Sequence, residues 1–230
     1  MIDTKLIAPM ATPYNQYRYL YSPRPEQKTP PESLDKYDDG TFIAQPKLNG
    51  ANTLIFMDGT TNKVMNRHNQ DKTGDIASRI NFAALHRGTG YMVLNGEWME
   101  KSKKDESGAN FNGNFIIFDI LVFNGQVLTG STTLDRIFLL RDLYGDTLMK
   151  STPDGIVSKE YLYTTPLDNI WRVCSYENNF RTLYHDLATI DMYEGLVLKK
   201  KFSKLLPPYS EAANKGWQLK SRKPTKIYGH

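Results

Sequence analysis

Lys47 stands first among the residues that could do chemistry, because it opens Lys47-Leu48-Asn49-Gly50 and four more segments suited to a nucleotide follow it in order. They are Gly96-Glu97, Phe118-Asp119, Glu194 through Lys199, and Trp217 through Lys220. A lysine amine attacks the α-phosphate of a nucleoside triphosphate only when unprotonated, and a free lysine, with a pKa of about 10.4, rarely is at neutral pH. Such chemistry calls for neighbouring cations, and Lys220, Arg222 and a bound Mg²⁺ are the candidates. Gly50 lets backbone approach a phosphate, in a turn between two strands that holds Lys47 at the mouth of a cleft. Alone, Lys47 reads as an ordinary surface lysine and each segment is weak. Their common order, spread over 174 residues from 47 to 220, decides against that plain reading.

The ordered set resembles the covalent nucleotidyltransferase superfamily of ATP-dependent DNA ligases, RNA ligases and mRNA capping enzymes, over most of the chain beyond residue 40. The resemblance implies that Lys47 takes AMP covalently, with Asn49, Gly50 and Asn52 in the same nucleotide pocket. Glu97 would accept from the ribose hydroxyls, Phe118 would stack on the purine, and Glu194 would hold Mg²⁺ (or Mn²⁺) against the α-phosphate. Lys199 and Lys220 would neutralise that phosphate, and Arg67 would bind the 5′-phosphate of a nucleic-acid substrate. Two departures stand out. Asn49 replaces the usual aspartate, which leaves the loop's hydrogen bonding open. Lys220-Ser221-Arg222 has arginine where the family has a second lysine, so the charge stays and a bidentate donor is added. The stretch Lys47-Leu-Asn-Gly-Ala-Asn52 is nearer to RNA ligases of the repair and editing type, since DNA ligases tend to carry arginine at the place of Asn52.

Plainer readings stand beside these. The Gln45 amide matches the donor and acceptor pattern of adenine, and equally suits a strand residue facing solvent. Phe118 in an apolar strand suits core packing, and Glu194 suits a salt bridge to a nearby lysine. Arg136, in a segment that ligases also carry, reads as a structural anchor for its helix.

These residues need a scaffold, and the pattern predicts an α+β fold, for which the resemblance implies two antiparallel sheets with flanking helices around an ATP cleft. Strands are expected at 41–45 and 53–57 on either side of the Lys47 loop, then at 64–67, 91–98, 115–123, 192–199 and 216–220. Asn124-Gly125 marks a turn. Helices are expected at 75–86, at 133–144 between Thr132 or Thr133 and Gly145, and at 168–187. Residues 1–40, with Pro13, Pro23, Pro25, Pro30 and Pro31 among Tyr14, Tyr17, Tyr19 and Tyr21, read as an extended arm. Packing on the domain is the favoured role for those tyrosines, with base stacking as the alternative. Residues 41–230 read as the nucleotidyltransferase domain, with no C-terminal OB-fold domain in the seven residues after Lys223.

Composition narrows the class. At 230 residues with 40% hydrophobic content, one substantial core is expected. Cys174 is the only cysteine, which excludes an intramolecular disulfide or a thiolate-cluster metal site, and it reads as a buried residue of a helix. An intracellular, cytoplasmic setting with no membrane contact is the default expectation. Nine of the 29 basic residues lie between Lys199 and Lys226 with one acid, Glu211, so 24 of the 25 acids lie elsewhere. Positive charge gathered at one end suits a polyphosphate or a nucleic-acid backbone. The expected function is an ATP-dependent polynucleotide ligase, nearer to RNA ligases, joining 3′-OH and 5′-phosphate ends, with a protein partner or extra domain to clamp the substrate. A DNA nick ligase is the alternative, a GTP-using capping enzyme comes third, and a catalytically idle nucleotide- or nucleic-acid-binding module represents another class.

Overall fold

Period-two alternation along three strands builds the wall on which the candidate residues stand. In the computed structural model, which describes residues 12–145 and 161–224, strands β1 (Gln27–Lys28), β2 (Phe42–Leu48), β10 (Tyr193–Lys200) and β11 (Gln218–Arg222) form a sheet in the order β1-β11-β10-β2. Register pairs Lys47 with Gly195, Gln45 with Val197, Val197 with Lys220, and Lys199 with Gln218. Paired residues share a face, so Gln45, Lys47, Lys199, Lys220 and Arg222 point to one side. Ala44, Leu196, Leu198 and Leu219 point to the other, where they pack with Phe180, Leu183 and Leu187 of helix α5 (Phe180–Ala188).

The chain leaves β2 at Leu48 and enters the second sheet at Ala51, so Asn49 and Gly50 alone carry it from one sheet to the other. That sheet runs β4-β3-β5-β6-β9-β8, made of β3 (Ala51–Met57), β4 (Asn62–Asn66), β5 (Met92–Trp98), β6 (Phe115–Phe123), β8 (Leu162–Thr164) and β9 (Ile170–Val173). Strand β7 (Gln126–Val127) adds to β6 through the Asn124-Gly125 turn, where both residues have positive φ. On its outer face Ile55, Met57, Leu94 and Ile117 pack with Ile76 of α2 (Thr73–Ala77), Phe82 of α3 (Phe82–Leu85) and Leu140 of α4 (Thr133–Tyr144). Helix α4 starts at Thr132 with a reciprocal capping box to Asp135 and stops at Gly145, as its sequence predicts.

Several expectations are corrected. Each sheet carries one parallel pair, β1 with β11 and β6 with β9, so neither is wholly antiparallel. Strand β2 runs on through Pro46 and Lys47; β2 is an edge strand, where a residue without an N–H is tolerated. The helix expected at 75–86 splits into α2 and α3, because Asn81 caps a new start by accepting from the Ala84 N–H. Only the second half of the helix expected at 168–187 forms. Ile170-Trp-Arg-Val173 has the β-branched and aromatic composition of a strand and pairs with β6, so buried Cys174 follows a strand instead of sitting in a helix. Within the expected extended arm, Thr12 caps a short helix, α1 (Pro13–Tyr17), and Pro31–Tyr37 forms a 3₁₀ helix. Tyr14 and Tyr17 pack edge-on against Phe56 and Tyr91, whereas Tyr19 and Tyr21 are exposed. Residues 1–11 of that arm and Lys226 of the basic run lie outside the described residues. Among the described residues no helix is long and apolar enough to cross a membrane.

Between the sheets lies a buried charge cluster. The Arg136 guanidinium of α4 donates to both carboxylate oxygens of Asp119 on β6, at 2.7 and 3.2 Å, and also to the Ser131 and Thr132 carbonyls that precede the helix. Arg136 also sits 5.5 Å over the Trp217 ring, which draws in the segment leading to β11. A paired buried charge is neutral to modest in net stability, but removing one partner strands the other. We predict that Asp119→Asn lowers unfolding stability by about 3–5 kcal/mol, read from urea midpoints. A loss under about 1 kcal/mol, the range of exposed ion pairs, would show that the cluster is solvated.

Candidate active site

The nucleophile candidate and the metal candidate meet across the β2–β10 pairing. Lys47 Nζ lies 2.6 Å from Glu194 Oε2, and Arg222 approaches the same oxygen at 3.2 Å. Glu194 reaches Lys47 because β10 bulges there: Tyr193 pairs with Leu48 and Gly195 with Lys47, leaving Glu194 as the extra residue. Gly195 has φ +129°, and a Cβ on it would come 2.1 Å from the Ser221 carbonyl oxygen. The bulge therefore requires glycine at 195.

The structure resolves the open question at Asn49. With its side-chain amide assigned the orientation that satisfies both neighbours, its nitrogen donates to Glu194 Oε1 and its oxygen accepts from Lys103 Nζ, each at 3.2 Å. An aspartate could not donate to Glu194; asparagine bridges an anion and a cation at once. Gly50 donates its N–H to Glu97 Oε1 at 3.1 Å, and a Cβ at Gly50 would meet the Trp98 carbonyl at 2.6 Å. Glu97 pairs in register with Asn52 on the second sheet, and Asn52 donates to Asn95 Oδ1 while accepting from Ser22 Oγ. Burial pushes the Glu97 carboxyl up to about 7, against the pull of Lys47 and the Gly50 N–H, and the Glu194 charge adds to the rise.

Lys199 is buried, and Lys220 is half-buried. Burial first, and then the Arg222 and Lys47 charges, hold Lys220 below the ordinary lysine range, and its ammonium donates to the Pro25 carbonyl at 2.9 Å. Burial pushes Lys199 down to about 8 despite Asp119 nearby; it donates to the Phe118 carbonyl at 3.3 Å and lies 5.4 Å from that ring's centre. Phe118 is half-buried against the first core, so one ring serves the packing and edges the cleft. Burial would raise Asp119, but Arg136 and Lys199 hold it below the ordinary range.

The solvent-facing reading of Gln45 is corrected: it is buried, and its amide nitrogen donates to Ser175 Oγ at 2.9 Å. Arg67 stands at the rim, bonded to His68 and, by its backbone N–H, to the Asn52 carbonyl. Sequence reasoning missed Lys103 and Asn95. Asn95 is fully buried beside Gly96-Glu97, and its Nδ2 has no partner among the described residues. A lone asparagine before a glycine carries no motif, so nothing local flags it.

As a metal site, the oxygen donors fit Mg²⁺. Among the described residues no group of three or more His, Cys, Asp or Glu side chains forms a cage, but Mg²⁺ commonly rests on one or two carboxylates and keeps its waters. Glu194 faces the cleft beside Glu97, whose carboxyl is raised chiefly by burial.

No family model and no curated protein matches the sequence. Solved structures do match. A mycobacterial DNA ligase D complexed with ATP and MES aligns over 86% of this chain and 59% of that one, with 18% identity and a TM-score of 0.52. A chain described as Pmar-Lig_PreS3 aligns over 85% and 45%, with 16% identity and a TM-score of 0.50. The ligase domain from M. tuberculosis LigD aligns over 79% and 54%, with 18% identity and a TM-score of 0.49. The chain thus shares its fold with the mycobacterial DNA ligase D chain complexed with ATP, and it spans 54% and 59% of the length of the two mycobacterial ligase chains.

The raised Glu97 carboxyl gives a pH prediction. Its folded value lies above the ordinary 4.5, so its contribution to stability is fully present below about pH 4.5 and is lost as pH rises through about 7. Glu97→Gln removes that slope and stabilises the ligand-free protein at pH 8 by at most about 3 kcal/mol, seen as a higher melting temperature. A variant that melts lower than the parent at pH 8 would mean Glu97 is not strained.

Proposed function

We propose that the chain is an ATP-dependent polynucleotide ligase that works through a lysyl-AMP intermediate on Lys47. The observation that carries the reading is the Lys47–Glu194 pair at 2.6 Å, flanked by Arg222, Lys220 and the Gly50–Glu97 contact in a cleft between two sheets. In the first step the Lys47 amine, having shed its proton and left Glu194, attacks the α-phosphorus of ATP. A P–N bond forms, the bond to the bridging oxygen breaks and pyrophosphate leaves. A 5′-phosphate oxygen then attacks that phosphorus, the P–N bond breaks and the Lys47 amine leaves, and a 3′-hydroxyl, giving its proton to solvent, attacks the 5′-phosphorus so that a phosphodiester forms and AMP leaves. Lys220 and Arg222 hold the negative charge that gathers at phosphorus, where fixed cations in a dry cleft act strongly. Mg²⁺ held by Glu194 would add Lewis-acid stabilisation of that charge. Gln45, its donor taken by Ser175, presents an acceptor suited to an adenine amino group. Glu97 and Phe118 would take the ribose and the purine, Lys199 would support the phosphate, and Arg67 is placed for the 5′-phosphate end.

RNA is the preferred strand in this reading, supported by Asn52 in Lys47-Leu-Asn-Gly-Ala-Asn. A DNA nick ligase is the second reading, favoured by the fold neighbour that is itself a DNA ligase.

We predict that Lys47→Ala abolishes labelling by α-labelled ATP, and that Glu194→Ala and Lys220→Ala each cost about 2–4 kcal/mol in the adenylation barrier. Folded variants that label at the parent rate would remove those residues from the site. On matched nicks differing only in the sugar at the 3′-hydroxyl side, at one low salt concentration, the ribose nick should seal faster. Faster sealing of the all-DNA nick would install the second reading.

A further inference from the structure

Residues 99–113, between β5 and β6, belong to none of the ordered motifs, yet they fold against the metal candidate. Met99 and Gly113 close the base through hydrogen bonds to Asn114 and Met99, and Phe111 N–H returns to the Lys103 carbonyl at 2.8 Å. The tip is clamped to the turn that delivers Glu194. The Lys104 N–H donates to Asp191 Oδ2 at 3.2 Å, the Met192 N–H donates to the Lys104 carbonyl at 3.0 Å, and the Tyr193 hydroxyl donates to Glu106 at 2.6 Å. This scaffold fixes Lys103, whose ammonium lies 3.2 Å from Asp191 Oδ1 and 3.2 Å from the Asn49 amide oxygen.

Lys223 comes in from beyond β11. Its backbone N–H donates to the Glu194 carbonyl at 2.9 Å and its ammonium to the Ile190 carbonyl at 2.9 Å. Asp191, Lys103 and Glu194 all lie within electrostatic reach of that ammonium. Lys103 thus holds the Asp191 carboxylate and one neutral oxygen, while Lys223 holds a backbone carbonyl with Asp191 in electrostatic reach. Along β10 they flank Glu194 at the end toward Asp191, whereas Lys220 stands at the other end opposite Val197. One ammonium on a backbone carbonyl and one on a single half-exposed carboxylate, next to a site that the ligase reading builds around a phosphate, can each turn to a phosphate oxygen and make a charge-assisted bond there.

We propose that Lys103 and Lys223 form a phosphate-binding subsite beside Glu194, on the side away from Lys220. The inference rests on the ligase reading. Its ligand is a phosphate of one of two origins: the pyrophosphate end of ATP, or the adenylated 5′-phosphate of the strand to be joined. Lys103 is the residue to test, because it lies on the loop and its ammonium reaches both Asp191 and Asn49; Lys103→Gln removes the charge and keeps a donor, and Lys103→Arg restores the charge.

The test uses the full chain in two assays. One follows lysyl-AMP formation over a range of ATP concentrations and its discharge by added pyrophosphate. The other follows sealing of a pre-adenylated strand without ATP. Lys103→Gln should weaken at least one assay by about tenfold, the size of one charge-assisted contact, with recovery in Lys103→Arg and an unchanged melting temperature. Loss in the ATP assay assigns the subsite to pyrophosphate, and loss in the sealing assay assigns it to the strand. If the parent protein is active and Lys103→Gln stays within twofold in both assays, the subsite is refuted while the ligase reading stands. If the parent protein never forms lysyl-AMP, the ligase reading falls and the subsite with it.

Discussion

The bulge at Glu194 is the constraint on which the rest of the site depends. In a regular strand, Glu194 would share a face with Leu196 and Leu198 and would point into the apolar layer covered by α5. One extra residue breaks that alternation and turns the carboxylate to the cleft, 2.6 Å from Lys47. Gly195 makes the bulge possible, since any side chain there would strike the Ser221 carbonyl of β11. The same strand can therefore be apolar enough to build a core and still deliver a carboxylate to a lysine.

Beneath that surface pair, the buried Asp119–Arg136–Lys199 cluster ties the two sheets to α4. Asp119 comes from the second sheet, Lys199 from the first, and Arg136 from the helix that closes over β6. Its charges are costly to bury singly, so the cluster favours one mutual placement of the sheets and fixes the width of the cleft. Phe118, next to Asp119, is held by the same arrangement against the Lys199 ammonium.

How much was legible in the sequence depended on how local the signal was. Helix α4 was readable because Thr132, Asp135 and Gly145 state its ends directly, and β6 with its Asn124-Gly125 turn was readable for the same reason. The order of motifs pointed to Lys47, Glu97, Glu194 and Arg222, which the fold gathers in one cleft. What escaped was pairing at a distance. Nothing near Lys47 says that β2 and β3 enter different sheets, or that Gln45 meets Ser175 far along the chain. The helix expected at 168–187 failed because partnership with β6 overrode a helical spacing in its first half. Lys103 was invisible for a related reason: a lysine in a polar loop gains meaning only from Asp191 and Asn49, which the fold brings to it.

The central claim is that Lys47 itself carries the nucleotide, and the most direct measurement is the location of the bond. The protein is incubated with ATP and Mg²⁺, freed of nucleotide, digested and mapped by mass spectrometry. The account predicts one AMP on the peptide containing Lys47, through a phosphoramidate that acid cleaves and alkali spares. AMP on another residue, or a protein that binds ATP and never becomes modified, would contradict it.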